Sequence, residues 1–350
     1  MSAAPHTDTT RSVLRVLQSF PAPRATTNPY ISMLDGALAA EPGIEHLRFS
    51  WRTALLGRYD VIHFHWPETL FSASSRLKAT GKHLAFLALL ARLRMRRIAV
   101  VRTVHNLHLP TDVTASQRRI LERVEQLTTL RILIGETTRL PEGQPSATIL
   151  HGHYRDWFAS YPRSAPTPGR IGFVGLIRRY KGVEQLIAAF RGRPPARAEL
   201  RLAVSGQPTS EALADELRAL AAGDEAIALA FGFLDDAAFV EAMTASGIVV
   251  LPYRFMHNSG SVLAALSLDR PVLVPRNEAN EALAVEVGAG WIHSYDDELD
   301  TPALLRAVDA VTAAPPEGSP DLTRREWTDT GARHLDAYRR AVRIRHGEPE

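Results

Sequence analysis

The chain has 350 residues, 45% of them hydrophobic and 23% charged, with a net charge of +3; this is an ordinary composition for a soluble globular protein, and the length favours two domains. The absence of cysteine excludes disulfides, thiolate metal sites and cysteine nucleophiles. The first residues lack the apolar core of a signal peptide, and no apolar run reaches the roughly 18 residues of a spanning helix, so we expect a cytoplasmic protein.

Strand and helix patterns alternate in the first half of the chain. Short apolar runs predict strands at 12–20, 43–50, 59–66, 97–106 and 130–135. Amphipathic or apolar segments predict helices at 30–40, 75–94 and 115–127. Buried strands separated by helices indicate an α/β fold with a parallel, doubly wound sheet.

The same alternation restarts after a segment rich in proline and serine at 160–169, which we interpret as a linker. It predicts strands at 170–175, 199–206, 227–233, 247–253, 271–275 and 290–295. Helices are expected at 182–192, 210–222, 236–246 and 301–313, with a short one after Gly260. Two α/β halves would leave a cleft, with ligands beyond the carboxyl ends of the strands.

Positive charge is concentrated in one part of the first half. No acidic residue occurs between Glu68 and Asp112, whereas that stretch carries eight basic residues: Arg76, Lys78, Lys82, Arg92, Arg94, Arg96, Arg97 and Arg102. Such a block attracts anions, including phospholipid head groups. Contact with an anionic membrane and a merely solvated basic face both remain open.

Two loops in the second half suit a diphosphate. The segment 256–261, which reads MHNSGS, follows a strand and starts a helix, so its backbone N–H groups and helix dipole favour an anion. Gly260 permits close approach of a ligand, and Ser259 and Ser261 are candidate N-caps and hydroxyl donors. His257 and Asn258 add further donors.

The second loop is basic. It follows the strand at 170–175 and carries the candidate donor-binding residues Gly175, Arg178, Arg179 and Lys181. Arginine recognises phosphate with two parallel hydrogen bonds and lysine recognises it as a point charge. Two such loops at strand ends of one half predict a nucleoside diphosphate ligand.

These motifs carry a family resemblance. The run FVGLIRRYKGVEQLIAAF (173–190), followed by AVSG, FGFL, VVLPY and PVLVP, resembles nucleotide-sugar glycosyltransferases of the GT-B fold, in particular the GT4-like group of bacterial exopolysaccharide synthesis. The resemblance implies two facing Rossmann-like domains. It assigns residues 1–159 to the acceptor side, 170–323 to the donor and 324–350 to a helix that crosses back. It also gives the grip on the donor pyrophosphate to Arg178 or Arg179 and to Lys181.

The chain departs from the family pattern at the donor sugar. Many members carry two glutamates eight positions apart, where this sequence has Met256 and Ala264. The MHNSGS segment would therefore contact the sugar with hydroxyl, amide and imidazole groups. Whether the anomeric configuration is retained or inverted stays open.

The first half supplies the remaining candidates. His65 and Trp66 end one strand, and His105, followed by Asn106 and His108, ends the next. The resemblance places His105 where the family has a histidine that contacts the donor sugar. Glu68 and Glu136 follow strand ends and are candidate general bases for an acceptor hydroxyl, whereas Asn28 and Tyr30 lie in a loop that bears on donor or acceptor. Histidines two apart on a strand share a face, but GT-B transferases typically work without metal, so we expect no metal site.

The predicted activity is transfer of a hexose from a nucleoside diphosphate sugar to a hydroxyl of a lipid-linked or oligosaccharide acceptor. The resemblance favours GDP-mannose, with UDP-glucose as the alternative, and implies no cofactor and no nucleic-acid partner. An epimerase or phosphorylase of the same fold, or a non-catalytic sugar-nucleotide sensor, are the rival hypotheses. We also expect peripheral attachment to the inner face of the cell membrane.

Overall fold

A computed structural model describes residues 13–71, 76–105 and 114–348. The chain divides into two compact units. Unit 1 comprises the described residues up to Leu150 and those from Trp327 onward, and unit 2 is His151–Glu326.

Unit 1 is built on a parallel sheet in the order β2-β1-β3-β4-β5-β6. Its strands are β1 (Leu14–Gln18), β2 (Ile44–Leu47), β3 (Val61–Phe64), β4 (Ala99–Val104), β5 (Leu130–Leu133) and β6 (Ser146–Thr148). Its helices are α1 (Pro29–Ala40), α2 (Trp51–Leu56), α3 (Glu68–Phe71), α4 (Arg76–Met95) and α5 (Ala115–Leu127), together with the last helix of the chain. β3 and β5 are buried along their whole length, as strands covered on both faces must be.

Unit 2 contains a second parallel sheet in the order β12-β11-β10-β7-β8-β9. Its strands are β7 (Arg170–Val174), β8 (Arg201–Gly206), β9 (Ile227–Phe231), β10 (Ile248–Val250), β11 (Val272–Pro275) and β12 (Ile292–Tyr295). Its helices are α6 (Arg155–Phe158), α7 (Val183–Arg191), α8 (Glu211–Ala221), α9 (Asp236–Thr244), α10 (Gly260–Ser267), α11 (Glu278–Val287) and α12 (Thr301–Ala313). The predicted fold class, two Rossmann-like doubly wound α/β units, is confirmed.

Local sequence explains where the helices begin. Asn28 caps α1 by accepting from the N–H of Tyr30 at 3.0 Å, and Pro29 occupies the first turn, where its missing N–H costs nothing. Thr114 and Gln117 form a reciprocal capping box at α5. Asp235 and Asp300 cap α9 and α12 by accepting from the N–H groups of Ala238 and Ala303.

The units divide at positions that composition did not mark. The segment 151–158 belongs to unit 2 because it packs there: the N–H of Tyr154 donates to Ser267 Oγ at 2.9 Å, and Phe158 stacks on Phe239 at 5.7 Å. The last helix, α13 (Thr330–His346), packs against α1 and β4 in unit 1. None of the described helices is long and apolar enough to cross a membrane.

Candidate functional site

The strand order places the two phosphate loops side by side. In unit 2, β7 is the first strand and lies between β8 and β10, so the winding of the sheet reverses between β7 and β10. Ligands of doubly wound sheets bind beyond the carboxyl ends of the strands at such a point. The basic loop follows β7 and the MHNSGS segment follows β10, which makes this edge of unit 2 the candidate donor site.

The basic loop presents two cations close to each other. Lys181 is buried, with 7% of its surface exposed. Burial is the main reason that its pKa lies below the usual value; the charge of Arg178 lowers it further, whereas Tyr180 opposes the shift. Among the described residues, none forms an ion pair with Lys181 or with the exposed Arg178. A bound anion would relieve both the burial of the ammonium and its repulsion from Arg178.

Arg179 has a different environment. Its guanidinium forms two hydrogen bonds with the Glu216 carboxylate, Nη2 to Oε2 at 2.8 Å and Nη1 to Oε1 at 3.4 Å. This pair lies on the exposed surface of α8 and raises the pKa of Arg179. The sequence did not decide whether Arg178 or Arg179 contacts the pyrophosphate. Of the two, Arg178 is the one that is not engaged by a carboxylate.

Tyr253 connects the two loops. Its ring lies 5.0 Å from Lys181 Nζ, a cation–π distance, and its hydroxyl donates to Ser261 Oγ at 3.0 Å. Burial raises the pKa of this phenol to about 12, so the hydroxyl stays protonated as a donor. Tyr253 ends the VVLPY segment of the sequence, where no local pattern indicates this role.

The backbone also joins the loops. Gly182 has φ +64°, and a Cβ there would collide with the carbonyl oxygen of Pro252. Only glycine allows the end of the basic loop to approach the segment after β10 this closely.

The start of α10 offers backbone donors. Ser259 occupies the N-cap position as expected, but its hydroxyl does not cap the helix, and the hydroxyl of Ser261 is engaged by Tyr253. The first N–H groups of a helix have no partner within it, so those of Gly260 and Ser261 suit an anion. His257 is half-buried, and burial lowers its pKa, so it is a neutral donor or acceptor near pH 7.

The two positions that lack the family glutamates lie in tight surroundings. Asn277 Nδ2 donates to the Met256 carbonyl at 3.1 Å and Asn280 Nδ2 contacts Met256 Sδ at 3.2 Å. Ala264 is buried inside α10. Neither position offers a polar side chain to a ligand.

Gly260 has close neighbours within unit 2, in addition to the ligand that the sequence suggests it allows to approach. A Cβ on Gly260 would lie 3.0 Å from the Tyr154 hydroxyl and 3.6 Å from His151 Nε2. The glycine therefore allows α10 to pack against the segment 151–158.

Tyr253 gives a test of the link between the loops. Tyr253→Phe keeps the ring over Lys181 and should weaken GDP binding only about threefold, whereas Tyr253→Leu also removes the cation–π contact and should cost about tenfold or more. Calorimetric titration with GDP measures both. Equal affinities for both variants and the parent would show that Tyr253 positions neither loop.

The candidate residues of unit 1 form a cluster of rings at the ends of β3 and β4. His63 and His65 share one face, with ring centroids 4.3 Å apart. His65 Nδ1 lies 3.3 Å from His105 Nε2, so one of these nitrogens donates to the other. The His105 ring stacks on Trp66 at 4.0 Å and meets the edge of Tyr30 at 5.5 Å. His105 is partly exposed, whereas His65 is buried beneath it.

The side chains of Asn28 and Tyr30 are less accessible to a ligand than the sequence suggested. The Asn28 side chain is used as the cap of α1, and the Tyr30 ring is buried, packing against Trp327 at 5.8 Å. Burial raises the pKa of the Tyr30 phenol. Tyr30 therefore packs against the histidine cluster, and Asn28 holds the start of the helix that carries Tyr30.

The two candidate bases lie apart in sequence and environment. Glu68 is the first residue of α3 and is half-buried, and its charge stabilises the Arg102 guanidinium. Glu136 is exposed after β5. Asn106 and His108 lie outside the described residues. Within the described ranges, no group of three or more histidine, aspartate or glutamate side chains is arranged to hold a metal ion.

Other members of the histidine cluster are structural. His63 is fully buried, with Nδ1 at 2.8 Å from the Tyr338 hydroxyl and Nε2 at 2.8 Å from Thr103 Oγ1. The Tyr338 hydroxyl also accepts from Gln18 Nε2 at 3.1 Å. These contacts tie α13 to the sheet of unit 1.

Buried histidines should make the fold sensitive to mild acid. Burial lowers the pKa of His65 to about 3 and those of His334 and His151 to about 4, and holds that of His63 well below its usual value. In the unfolded chain each of these histidines has a pKa of about 6.5. Their full contribution to the free energy of unfolding therefore exists above that pH. Below it, the contribution falls by about 1.4 kcal/mol per pH unit for each histidine, until the folded pKa is reached.

Urea unfolding between about pH 7.5 and about pH 5.5 measures this slope. His334→Gln should reduce the slope of unfolding free energy against pH by the contribution of one histidine. A free energy of unfolding that does not change over this range would contradict the neutral, buried assignment.

Structural comparison identifies the fold. The fold matches the catalytic domain of Starch Synthase IV from Arabidopsis thaliana bound to ADP and acarbose, with a TM-score of 0.63 over 95% of this chain and 99% of that one, at 10% identity. It also matches HepE from Anabaena in complex with UDP-glucose, with a TM-score of 0.59 over 95% and 98%, at 12% identity. The fold is that of the GT-B glycosyltransferases.

Sequence comparison defines the family. Residues 168–311 match the family described as glycosyl transferases group 1. Over 349 residues the chain is 41% identical to the GDP-mannose:glycolipid 4-beta-D-mannosyltransferase of Xanthomonas campestris pv. campestris, covering 98% of each. The chain belongs to the group 1 glycosyl transferases, which confirms the resemblance seen in the sequence.

Proposed function

We propose that the protein transfers mannose from GDP-mannose to a hydroxyl of a glycolipid acceptor, as a step in bacterial exopolysaccharide or glycolipid synthesis. The full-length similarity to a GDP-mannose:glycolipid mannosyltransferase supports the donor and the acceptor class. The observation that carries the proposal is the pair of cations, Lys181 and Arg178, at the switch point beside the start of α10.

The chemistry requires a site for the leaving group. As the bond between the sugar and the diphosphate breaks, negative charge grows on GDP. Lys181 and Arg178 stabilise that charge, and the N–H groups of Gly260 and Ser261 add fixed dipoles. Because protein cations supply the neutralisation, we propose that transfer needs neither a metal ion nor a cofactor.

His105 and the carboxylates have separate roles in this proposal. His105 contacts the donor sugar, with its ring oriented by His65 and Trp66. Glu68 or Glu136 accepts the proton of the acceptor hydroxyl. His257 and Asn258 take over the sugar contact that the family glutamates make elsewhere. We place the enzyme in the cytoplasm, peripherally bound to the inner face of the membrane that holds its acceptor.

A panel of nucleotide sugars tests the proposal. We expect release of GDP from GDP-mannose in the presence of a glycolipid acceptor, unchanged by EDTA. Release of UDP from UDP-glucose instead would favour the alternative donor, and binding without turnover of any donor would indicate a sugar-nucleotide sensor. His105→Asn should lower turnover while GDP binding persists, because His105 contacts the sugar and not the diphosphate.

A further inference from the structure

The outer face of α4 is unusually apolar for a helix at a surface. Phe86, Leu89, Leu90 and Leu93 are buried in the core of unit 1. On the opposite side, Leu84 is 63% exposed and Met95 is 76% exposed, and Ala88 and Ala91 between them are also exposed. A helix packed on one side normally presents polar residues to solvent, so this apolar outer stripe requires an explanation.

The spacing makes the stripe continuous. Positions 84, 88, 91 and 95 follow the i, i+4, i+7 rule and therefore lie one above the other along the helix. At 1.5 Å per residue the stripe is about 17 Å long. Gly81 extends it by one turn, and it is also exposed.

Basic side chains surround the stripe. Lys78 and Arg94 are exposed on its two flanks, and Arg96 and Arg97 follow its end. Arg92 and Arg102 belong to the same basic block of the sequence but have partners within the protein. Arg92 donates to the carbonyls of Leu55 and Gly57, and Arg102 pairs with Glu125. The exposed charges thus lie at the rim of the stripe, and the sequence from 69 to 111 contains no acidic residue.

We propose that this outer face of α4 docks on an anionic membrane, with the apolar stripe entering the head-group boundary and the basic rim contacting phospholipid phosphates. An amphipathic helix that lies in the membrane plane has this arrangement of apolar centre and basic edges. A second copy of the chain fits less well, because it would bring two basic rims together. The inference deepens the proposed function by naming the surface that brings the enzyme to a lipid-linked acceptor, and it rests on that function only for the acceptor.

Vesicle co-sedimentation without donor or acceptor tests the surface. The probe is vesicles of equal parts phosphatidylglycerol and phosphatidylcholine, compared with phosphatidylcholine alone. The parent protein should bind only the anionic vesicles, and binding should weaken steeply with salt. Leu84→Glu/Met95→Glu should weaken binding about tenfold or more, because it places charge at the inserted centre. Lys78→Gln/Arg94→Gln should weaken it and reduce its salt dependence.

The matched control is Val285→Glu. Val285 is an apolar residue on α11 that is 86% exposed, so the same change of chemistry is made away from the stripe and should leave vesicle binding unchanged. Circular dichroism confirms that each variant is folded. Sedimentation velocity tests whether the stripe is instead a contact between two copies of the chain. A parent dimer that becomes monomeric in Leu84→Glu/Met95→Glu, together with no binding of the parent to vesicles, would overturn the proposal.

Two further outcomes separate this inference from the proposed function. Transfer to a glycan acceptor without lipid should be the same in the stripe variants and the parent. Anionic vesicles that fail to bind the parent, with transfer to that acceptor intact, would refute the surface and leave the activity standing. Vesicle binding that follows the predictions, without turnover of any donor, would leave the surface standing and refute the activity.

Discussion

Lys181→Met should lower kcat/KM for GDP-mannose about ten- to hundredfold, because a hydrogen bond to a charged group is worth about 1.5–3 kcal/mol. The methionine side chain resembles the buried lysine stem in length, so the change removes the charge with little loss of packing. Arg178→Ala should have a similar but smaller effect, since its guanidinium is exposed and partly screened by solvent. Steady-state kinetics and calorimetric titration with GDP measure both changes.

Arg179→Ala is the matched control for this experiment. Arg179 lies two residues from Lys181, but its guanidinium is engaged by Glu216 on the surface. We expect its kinetics to stay within about twofold of the parent, because an exposed ion pair contributes little. Parent-like kinetics for Lys181→Met, or a larger loss for Arg179→Ala than for Lys181→Met, would contradict the diphosphate assignment.

The alternation of strands and helices was readable because buried parallel strands need apolar side chains on both faces. Strands such as β10 and β11 therefore appear as continuous apolar runs in the sequence. β6 was missed because it is a three-residue strand, Ser146–Thr148, whose residues are small or polar and not buried. The helix α11 was missed because its stretch, 278–287, has only a narrow buried stripe.

The types of residue at the candidate site could also be predicted from the sequence, but the contacts that these residues make could not. A basic turn and a glycine-containing helix start reveal themselves by local composition. The contact of Tyr253 with Lys181 joins residues 72 positions apart, and it depends on β7 and β10 being neighbours. The sequence shows two arginines in a row, but only the position of Glu216 on α8 distinguishes Arg179 from Arg178.

The same limit applies to the basic block around α4. The sequence shows eight positive residues without distinguishing those that point outward. Arg102 lies in the buried strand β4 and Arg92 turns toward carbonyls of α2 and its end. The outward apolar stripe is hidden in the sequence because both faces of α4 carry leucine and alanine, which leaves no clear periodic signal.

Gly260→Val should abolish GDP binding and also lower the melting temperature. The reason is the space next to Gly260, where a Cβ would lie 3.0 Å from the Tyr154 hydroxyl, closer than side-chain carbons normally approach. Valine adds two further carbons and would displace either the start of α10 or the segment 151–158. Ser259→Ala should cost much less, because its hydroxyl does not cap the helix and the backbone donors remain.

A double variant separates the two ways in which the glycine can matter. Gly260→Ala should lower the melting temperature modestly although alanine favours helices, and Tyr154→Phe, which removes the crowding oxygen, should restore it. If GDP affinity returns together with stability in Gly260→Ala/Tyr154→Phe, the glycine acts by letting α10 start in the right place. If stability returns and affinity does not, the side chain occupies space that the diphosphate needs. Scanning calorimetry and titration with GDP distinguish these results, and normal GDP binding by Gly260→Val would refute the assignment of the donor to this loop.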